Sequence, residues 1–118
     1  TINGHLTATK NDYMEIKNWV QALELPQESF PPINSLKSMV GHCLSGAGAI
    51  ESVACVLQIR DQFIFPNINC EDTSDEISNL ISEASIPKKI MNKEINIVAK
   101  ASFGFGDVNA CIIFKKYS

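Results

Sequence analysis

The chain has 118 residues, of which 45% are hydrophobic and 19% are charged, and its formal net charge is −3. This length fits one folded domain, and a slightly acidic chain without a basic stripe does not favour binding to nucleic acid. Polar side chains interrupt the apolar runs too often for a membrane span, and we expect a cytoplasmic location.

Strands and helices alternate in the first part of the chain. Residues 1–4 are predicted to end a strand. Five apolar residues recur at helical spacing and predict an amphipathic helix over 12–25: Tyr13, Ile16, Trp19, Val20 and Leu23. Asp12 followed by Glu15 resembles a capping box at the start of this helix. A short strand is predicted over 33–36.

The second part of the chain is predicted to contain one long helix and a closing hairpin. The helix covers 41–58, and the segment 63–69 is expected to be extended. Residues 71–94 are polar and contain at most one short helix. Strands over 95–102 and 108–115 are joined by a glycine-containing turn, as in a hairpin. This order of elements predicts an α/β layer architecture.

The predicted helix over 41–58 is apolar around most of its circumference. Between Cys43 and Ile59 its only charged side chain is Glu51. A helix that packs on one sheet and faces water on its other side normally carries a polar stripe. We therefore expect this helix to be covered on both sides, with part of the cover supplied from outside these 118 residues.

The four cysteines show no spacing typical of a metal site or a redox pair. They are Cys43, Cys55, Cys70 and Cys111, and no two of them form a C-x-x-C motif. A zinc site requires such paired spacings. Because Cys55 and Cys111 stand in apolar runs, we expect buried, free thiols.

Three motifs follow one another along the chain: NGHLTAT over 3–9, KSMVGH over 37–42 and SFGFGDVNA over 102–110. Together they resemble the C-terminal half of a β-ketoacyl-acyl-carrier-protein synthase, or ketosynthase. The resemblance implies the C-terminal portion of a thiolase-like fold, with a mixed sheet, a buried helix and a closing antiparallel strand pair. Residues 1–118 would then form an incomplete C-terminal domain.

The resemblance also implies what the chain lacks. The first strand and helix of the half, including a central strand of its sheet, and the whole N-terminal half with the nucleophilic cysteine would lie outside it. We therefore expect the 118 residues to be inactive alone and stable only beside the rest of the protein. A cooperatively unfolding monomer of these residues would contradict this expectation.

The catalytic residues that the resemblance implies are His5, Lys37 and His42. In a ketosynthase two histidines donate hydrogen bonds to the thioester oxygen of an enolate, and such donors must be in place beforehand. The chain has two histidines, and both stand in the motifs. The lysine would hold a nearby carboxylate, and Glu15 matches the carboxylate expected to pair with it.

Two further groups of residues acquire roles from the resemblance. Phe105 would gate the acyl pocket from a loop formed by Gly104, Phe105, Gly106 and Asp107, with Phe103 as a core contact. Asn3 and Glu51 match positions that help to bind a structural cation in some relatives. No catalytic metal and no cofactor are expected, because the substrates are carried on the phosphopantetheine of an acyl carrier protein.

The implied activity is decarboxylative Claisen condensation of a malonyl-carrier protein with an acyl group, in fatty-acid or polyketide chain elongation. Leu6, Ala8, Leu36 and Asp107 depart from the motifs and indicate a divergent ketosynthase, of a specialised polyketide or polyene pathway. The expected partners are an acyl carrier protein, the N-terminal half and a second subunit in a homodimer or heterodimer.

Two other functions are compatible with parts of the sequence. A non-catalytic subunit of the chain-length-factor kind would keep the fold and pair with an active ketosynthase, but it has no chemical need for both histidines and Lys37. A small α/β binding module unrelated to acyl chemistry would require three ordered motif matches to be coincidence. A cysteine at the upstream nucleophile position would indicate the active ketosynthase, and its replacement would indicate the chain-length-factor subunit.

Overall fold

Short strands and helices alternate along the computed structural model, which describes residues 1–118. Its strands are β1 (Ile2–Asn3), β2 (Ile33–Asn34), β3 (Phe63–Ile64), β4 (Met91–Asn92), β5 (Ile97–Gly104) and β6 (Val108–Lys115). Its helices are α1 (Asn11–Leu23), α2 (Lys37–Val40), α3 (Ala47–Asp61) and α4 (Asp75–Ser78). None of these helices has both the length and the apolar content that crossing a bilayer requires.

Four strands form one mixed sheet in the order β2-β1-β5-β6. β1 is parallel to both of its neighbours, with Ile2 opposite Ile33 on one side and Ala99 on the other. β5 and β6 are antiparallel over eight residue pairs, from Ile97 opposite Lys115 to the hairpin. β3 and β4 form a separate antiparallel pair. The predicted α/β class and the closing antiparallel pair are confirmed.

The strands of this chain pair without a gap, and the expectation that a further central strand lies outside these residues stays a prediction. β1 bonds directly to β2 and to β5, so the middle of the sheet is continuous. The open edges are β2 and β6. At the β2 edge the side-chain amide of Asn67 accepts from the Ser35 N–H and donates to the Ile33 carbonyl, as a neighbouring strand would.

β6 is the more exposed edge of the sheet. Every residue of this strand except Phe114 is exposed, including Val108, Ile112 and Ile113. The expectation of a buried Cys111 thiol is therefore wrong, because this side chain lies on an edge strand that nothing covers. The expectation for Cys55 is confirmed, since it is fully buried on α3.

The long helix begins later than predicted. Residues 37–40 form the separate short helix α2, which ends at Gly41 with a positive φ of 73°. A 3-10 turn over Leu44–Gly46 then leads into α3. The glycine permits the sharp change of direction between the two helices. Lys37, which directly follows the strand predicted over 33–36, therefore lies in the first turn of α2.

α1 begins without the predicted capping box. Its N-cap residue is Lys10, which makes no capping hydrogen bond through its side chain. The Asp12 carboxylate instead accepts from the N–H groups of Thr7 and Ala8 at 2.9 and 3.0 Å. The reason is the path of the preceding loop, which turns back over the helix through Ala8 at a φ of 57°. Asp12 therefore binds the backbone of the preceding loop instead of capping the helix.

Two buried clusters form the core. One contains Ile2, Ile16, Phe30, Ile33, Ile81 and Ile86, and the other contains Cys55, Ile59, Ile64, Ile95 and Val98. The second cluster packs α3 against β5. On the outer side of α3 the large residues Ile50, Val53 and Val56 are 43–60% exposed. The outer face of α3, which lacks the polar residues of a solvent-facing helix, is therefore apolar and is not covered by any other part of this chain.

Candidate active site

Two loops at one edge of the sheet bring the histidines together. Because β1 and β2 are parallel, their carboxyl ends lie at the same edge. His5 follows β1 after one glycine, and His42 follows β2 through the short helix α2. The imidazole centroids are 5.4 Å apart, and the ring planes are inclined by 81° in an edge-to-face contact. The structure thus places the two predicted histidines side by side.

Glu15 fixes the loop that carries His5. Its two carboxylate oxygens accept from the backbone N–H groups of His5 and Leu6 at 2.8 and 2.9 Å. The indole N–H of Trp19 donates to the same carboxylate at 3.4 Å. Burial raises the pKa of Glu15, and these three hydrogen bonds oppose that rise. The carboxylate therefore acts on His5 through the backbone.

Gly4 makes this arrangement possible because it has no side chain. A Cβ at this position would lie 2.9 Å from Oε1 of Glu15 and 2.9 Å from Cγ of Leu6. Gly4→Ala is expected to displace the carboxylate and to destabilise the full-length protein by about 1–3 kcal/mol, measured by urea unfolding. The matched control is Gly46→Ala, where the nearest atom would be 3.9 Å away. Equal effects of the two substitutions would contradict this account.

The lysine does not pair with Glu15 as expected. The Lys37 ammonium, which is buried, forms an ion pair with Oε1 of Glu51 on α3. Glu15 is already committed to the loop N–H groups, and Lys37 faces α3 from the start of α2. The carboxylate partner of the lysine is therefore Glu51.

His42 has one ring nitrogen engaged by the backbone. The N–H of Leu44 donates to Nδ1 of His42 at 3.0 Å. A nitrogen that accepts a hydrogen bond carries no proton, so in the neutral ring the proton is on Nε2. Leu44 reaches this position with a φ of 50°. The exposed His42 ring therefore offers an Nε2–H donor.

His5 lies in a positive electrostatic environment. Its pKa is lowered from the ordinary value of 6.5, first by partial burial and then by the neighbouring basic groups Lys37, His42 and Lys100, against which Glu51 acts. A lowered pKa keeps the imidazole neutral near pH 7. In that form the ring has one donor and one acceptor nitrogen.

We expect His5 to titrate below pH 6.5 in a histidine-selective NMR titration of the full-length protein. Between its folded pKa and 6.5 the unfolded state binds more protons. The stability linked to His5 is therefore present above pH 6.5 and is lost as the pH falls through the folded pKa. His5→Asn assigns the signal. A His5 signal that titrates at or above pH 6.5 would contradict the electrostatic account.

The phenylalanine that contacts His5 is Phe103, whereas Phe105, the predicted gate, lies elsewhere. The ring of Phe103 lies 5.7 Å from the imidazole in an edge-to-face contact. Phe103 was expected in the core, but it is 39% exposed at the end of β5. Phe105 is 99% exposed at the hairpin tip, beside Gly106 and Asp107 in left-handed conformations. The described chain thus leaves Phe105 without packing partners.

Asn3 belongs to a buried chain of amides behind the histidines. Its Nδ2 donates to Oδ1 of Asn34 at 3.3 Å, and Asn34 donates in turn to Gln58 and to the Phe65 carbonyl, both at 2.9 Å. Oδ1 of Asn3 is buried without a partner. These bonds connect β1, β2 and α3 directly below the histidine loops.

The most deeply buried charge near the site was missed by the sequence interpretation. Lys100 on β5 is 2% exposed, and its ammonium lies 2.5 Å from Oε2 of Glu51. The sequence could have indicated this, because side chains alternate between the two faces of a strand and Lys100 therefore lies on the same buried face as Val98. An isolated lysine at an inward position requires a buried carboxylate as its partner.

In this site, a mixed sheet presents two neighbouring imidazoles close to a buried lysine–carboxylate cluster. Residues 1–71 match the family described as beta-ketoacyl synthase, C-terminal domain. The chain is 35% identical over 117 residues to 3-oxoacyl-acyl-carrier-protein synthase 2 of Rhizobium meliloti (strain 1021), covering 99% of the chain and 27% of that relative.

Solved structures agree with the sequence match. The ishigamide ketosynthase/chain length factor superposes with a TM-score of 0.86 and 30% identity, over 99% of this chain and 28% of that one. A second similar structure is that of a type II PKS acyl-carrier protein in complex with its ketosynthase bound to the hexaketide. It has a TM-score of 0.80 and 32% identity, over 99% of this chain and 28% of that one. The chain thus spans about a quarter of the length of these relatives.

The chain belongs to the β-ketoacyl synthase family and corresponds to its C-terminal domain. Its fold is that of the thiolase-like ketosynthases.

Proposed function

We propose that the full-length protein that contains this chain is a condensing enzyme of fatty-acid or polyketide synthesis. In this proposal the chain supplies His5 and His42 as hydrogen-bond donors and Lys37 as a positioning residue. The observation that carries the proposal is the edge-to-face histidine pair at 5.4 Å, in which backbone bonding leaves Nε2 of His42 as a donor.

The chemistry requires donors at one oxygen atom. When a malonyl thioester loses CO2, the bond between the α-carbon and the carboxylate breaks, and its electron pair moves into an enolate with negative charge on the thioester oxygen. Donors already aimed at this oxygen stabilise the developing charge without reorganisation. The α-carbon then attacks an acyl thioester on a cysteine of the N-terminal half, the new carbon–carbon bond forms and the cysteine thiolate leaves.

Lys37 supports this step without contacting substrate. Its ion pair with Glu51 attaches the start of α2 to α3, and α2 leads directly to His42. Its charge also lowers the pKa of His5. Lys37 therefore positions one histidine and helps to keep the other neutral.

The proposed partners are an acyl carrier protein and the N-terminal half of the synthase. His42 is exposed, which suits a substrate delivered on a flexible carrier arm. The open apolar face of α3 is the surface that we assign to the N-terminal half, because Ile50, Val53 and Val56 otherwise remain in solvent. One related structure contains a ketosynthase with its carrier protein.

The proposal is tested by incubating the full-length protein with a malonyl-loaded carrier protein and measuring the release of CO2 and the formation of a β-ketoacyl product. The condensing enzyme predicts both. Decarboxylation without any condensation, even with an acyl primer, would point to a subunit that needs a separate ketosynthase. Absence of both reactions in a folded protein would contradict the proposal.

A further inference from the structure

Lys100 is a buried cation whose partners are all supplied by the chain. Its ammonium donates to the Ala101 carbonyl at 2.6 Å and to Oγ of Ser102 at 2.8 Å. Its third contact is the ion pair with Oε2 of Glu51 at 2.5 Å. The side chains of Lys100 and Glu51 are each 2% exposed. An ammonium group has three N–H donors, and the Ala101 carbonyl and the Ser102 hydroxyl take two of them, while Oε2 of Glu51 is a charge contact that lacks hydrogen-bond geometry.

Each oxygen of Glu51 already lies beside an ammonium group. Oε1 pairs with Lys37 and Oε2 with Lys100, so two ammonium groups face one carboxylate and the cluster has a net charge of +1. A further cation would be repelled by both ammonium groups in a region of low dielectric constant. The carboxylate is already more than neutralised by the protein itself.

The remaining residues do not make up a cation site. Oxygen-binding cations such as Ca²⁺ require about six or more oxygen ligands. Two buried oxygens of Asn3 and Glu51 accept no hydrogen bond, but Oδ1 of Asn3 is neutral and Oε2 of Glu51 already lies 2.5 Å from the Lys100 ammonium. No group of three or more His, Cys, Asp or Glu side chains is arranged to hold a metal ion anywhere in the chain. The residues present therefore do not fit the structural cation that the family resemblance implies for Asn3 and Glu51.

We propose that the Lys100 ammonium is a built-in counter-ion of Glu51 that replaces the structural cation, so that this protein requires no bound cation at this position. The replacement also joins three elements. Glu51 on α3 holds Lys37 at the start of α2 and Lys100 on β5, and α2 leads to His42 while β5 leads to Phe103 beside His5. The tethered charge stabilises the framework of the histidine pair.

The test is the melting temperature of the full-length protein in buffers of equal ionic strength that contain choline, Na⁺ or K⁺ as the only added cation. The wild type is expected to melt at the same temperature in all three. Lys100→Ser is expected to melt lower by roughly 5 °C or more in choline, because Glu51 loses one ammonium partner. Na⁺ or K⁺ should recover part of this loss by entering the space left by the ammonium.

Lys89→Ser is the matched control, since Lys89 is exposed and makes no ion pair. A wild type whose melting temperature rises saturably with Na⁺ or K⁺ over choline would overturn the proposal. So would a Lys100→Ser variant that melts like the control, or one that is destabilised and responds to no cation.

If Lys100→Ser does not fold, Lys37→Met and Lys100→Met combined with Glu51→Gln remove both ammonium groups and their shared counter-ion together. This triple variant is expected to fold and to melt independently of the cation, and a cation-dependent melting temperature would overturn the proposal. The readout is thermal unfolding, so the result is independent of whether the condensing activity is found.

Discussion

His42→Ala in the full-length protein is expected to lower the rate of malonyl-carrier decarboxylation by ~10²–10³-fold. The substitution removes the Nε2–H donor that the Leu44 N–H leaves available on the ring. His42 is exposed, so its removal should leave the melting temperature nearly unchanged. The measurement is CO2 release from a malonyl-loaded carrier protein under single-turnover conditions.

Met39→Ala is the control for this experiment. Met39 lies in the same helix–loop segment, is 40% exposed and has no part in the proposed chemistry. It is expected to leave the rate within about threefold of wild type. A His42→Ala protein that decarboxylates as fast as Met39→Ala would remove His42 from the assigned role.

Glu51→Gln is expected to cause the largest loss of stability of any single substitution proposed for this chain. Glu51 is 1% exposed and is the carboxylate partner of both buried lysines. A neutral amide would leave two ammonium groups buried without a counter-ion. Removing one partner of a buried ion pair costs about 3–5 kcal/mol, and we expect a loss of the free energy of unfolding of at least this size.

Urea unfolding of the full-length protein measures this loss. Glu94→Gln is the control, because Glu94 is exposed and forms no ion pair. A second consequence concerns His5, since the charge of Glu51 opposes the lowering of its pKa. The His5 pKa is therefore expected to fall further in Glu51→Gln. A loss of stability no larger than that of Glu94→Gln would contradict the assigned ion cluster.

The parts of the site that could be predicted are those encoded by local spacing. His5 and His42 follow two short apolar strands, and parallel pairing alone brings their loops to one edge of the sheet. The helix of small residues around Glu51 was recognisable because the span predicted for it, 41–58, carries one charged residue and no polar stripe. In each case the information lies within a few residues of the side chain concerned.

Partner choice could not be predicted, because it depends on packing between distant segments. Glu15 and Glu51 are both acidic residues of predicted helices, and spacing does not show which one Lys37 meets. The loop that folds over α1 engages Glu15, and the packing of α3 against β5 places Glu51 between two lysines. The position of β1 inside the sheet is likewise a matter of long-range pairing.

The start of the long helix was predicted too early because one backbone angle, the φ of Gly41, separates α2 from α3. The apolar and small residues that follow Gly41 predict a helix that starts at 41. The positive φ of Gly41 instead turns the chain between α2 and α3. That turn allows the Leu44 N–H to reach Nδ1 of His42, and a continuous helix would have prevented this bond.

The most direct test of the histidine pair compares decarboxylation by His5→Ala, His42→Ala and the double variant of the full-length protein. Since both imidazoles are assigned to one oxygen atom, each single substitution should cost ~10²–10³-fold, and the double variant should lose at most a further tenfold, as groups that act as a unit do. A His5→Ala protein with the wild-type rate, or losses that multiply fully in the double variant, would show that the two rings do not serve the same atom.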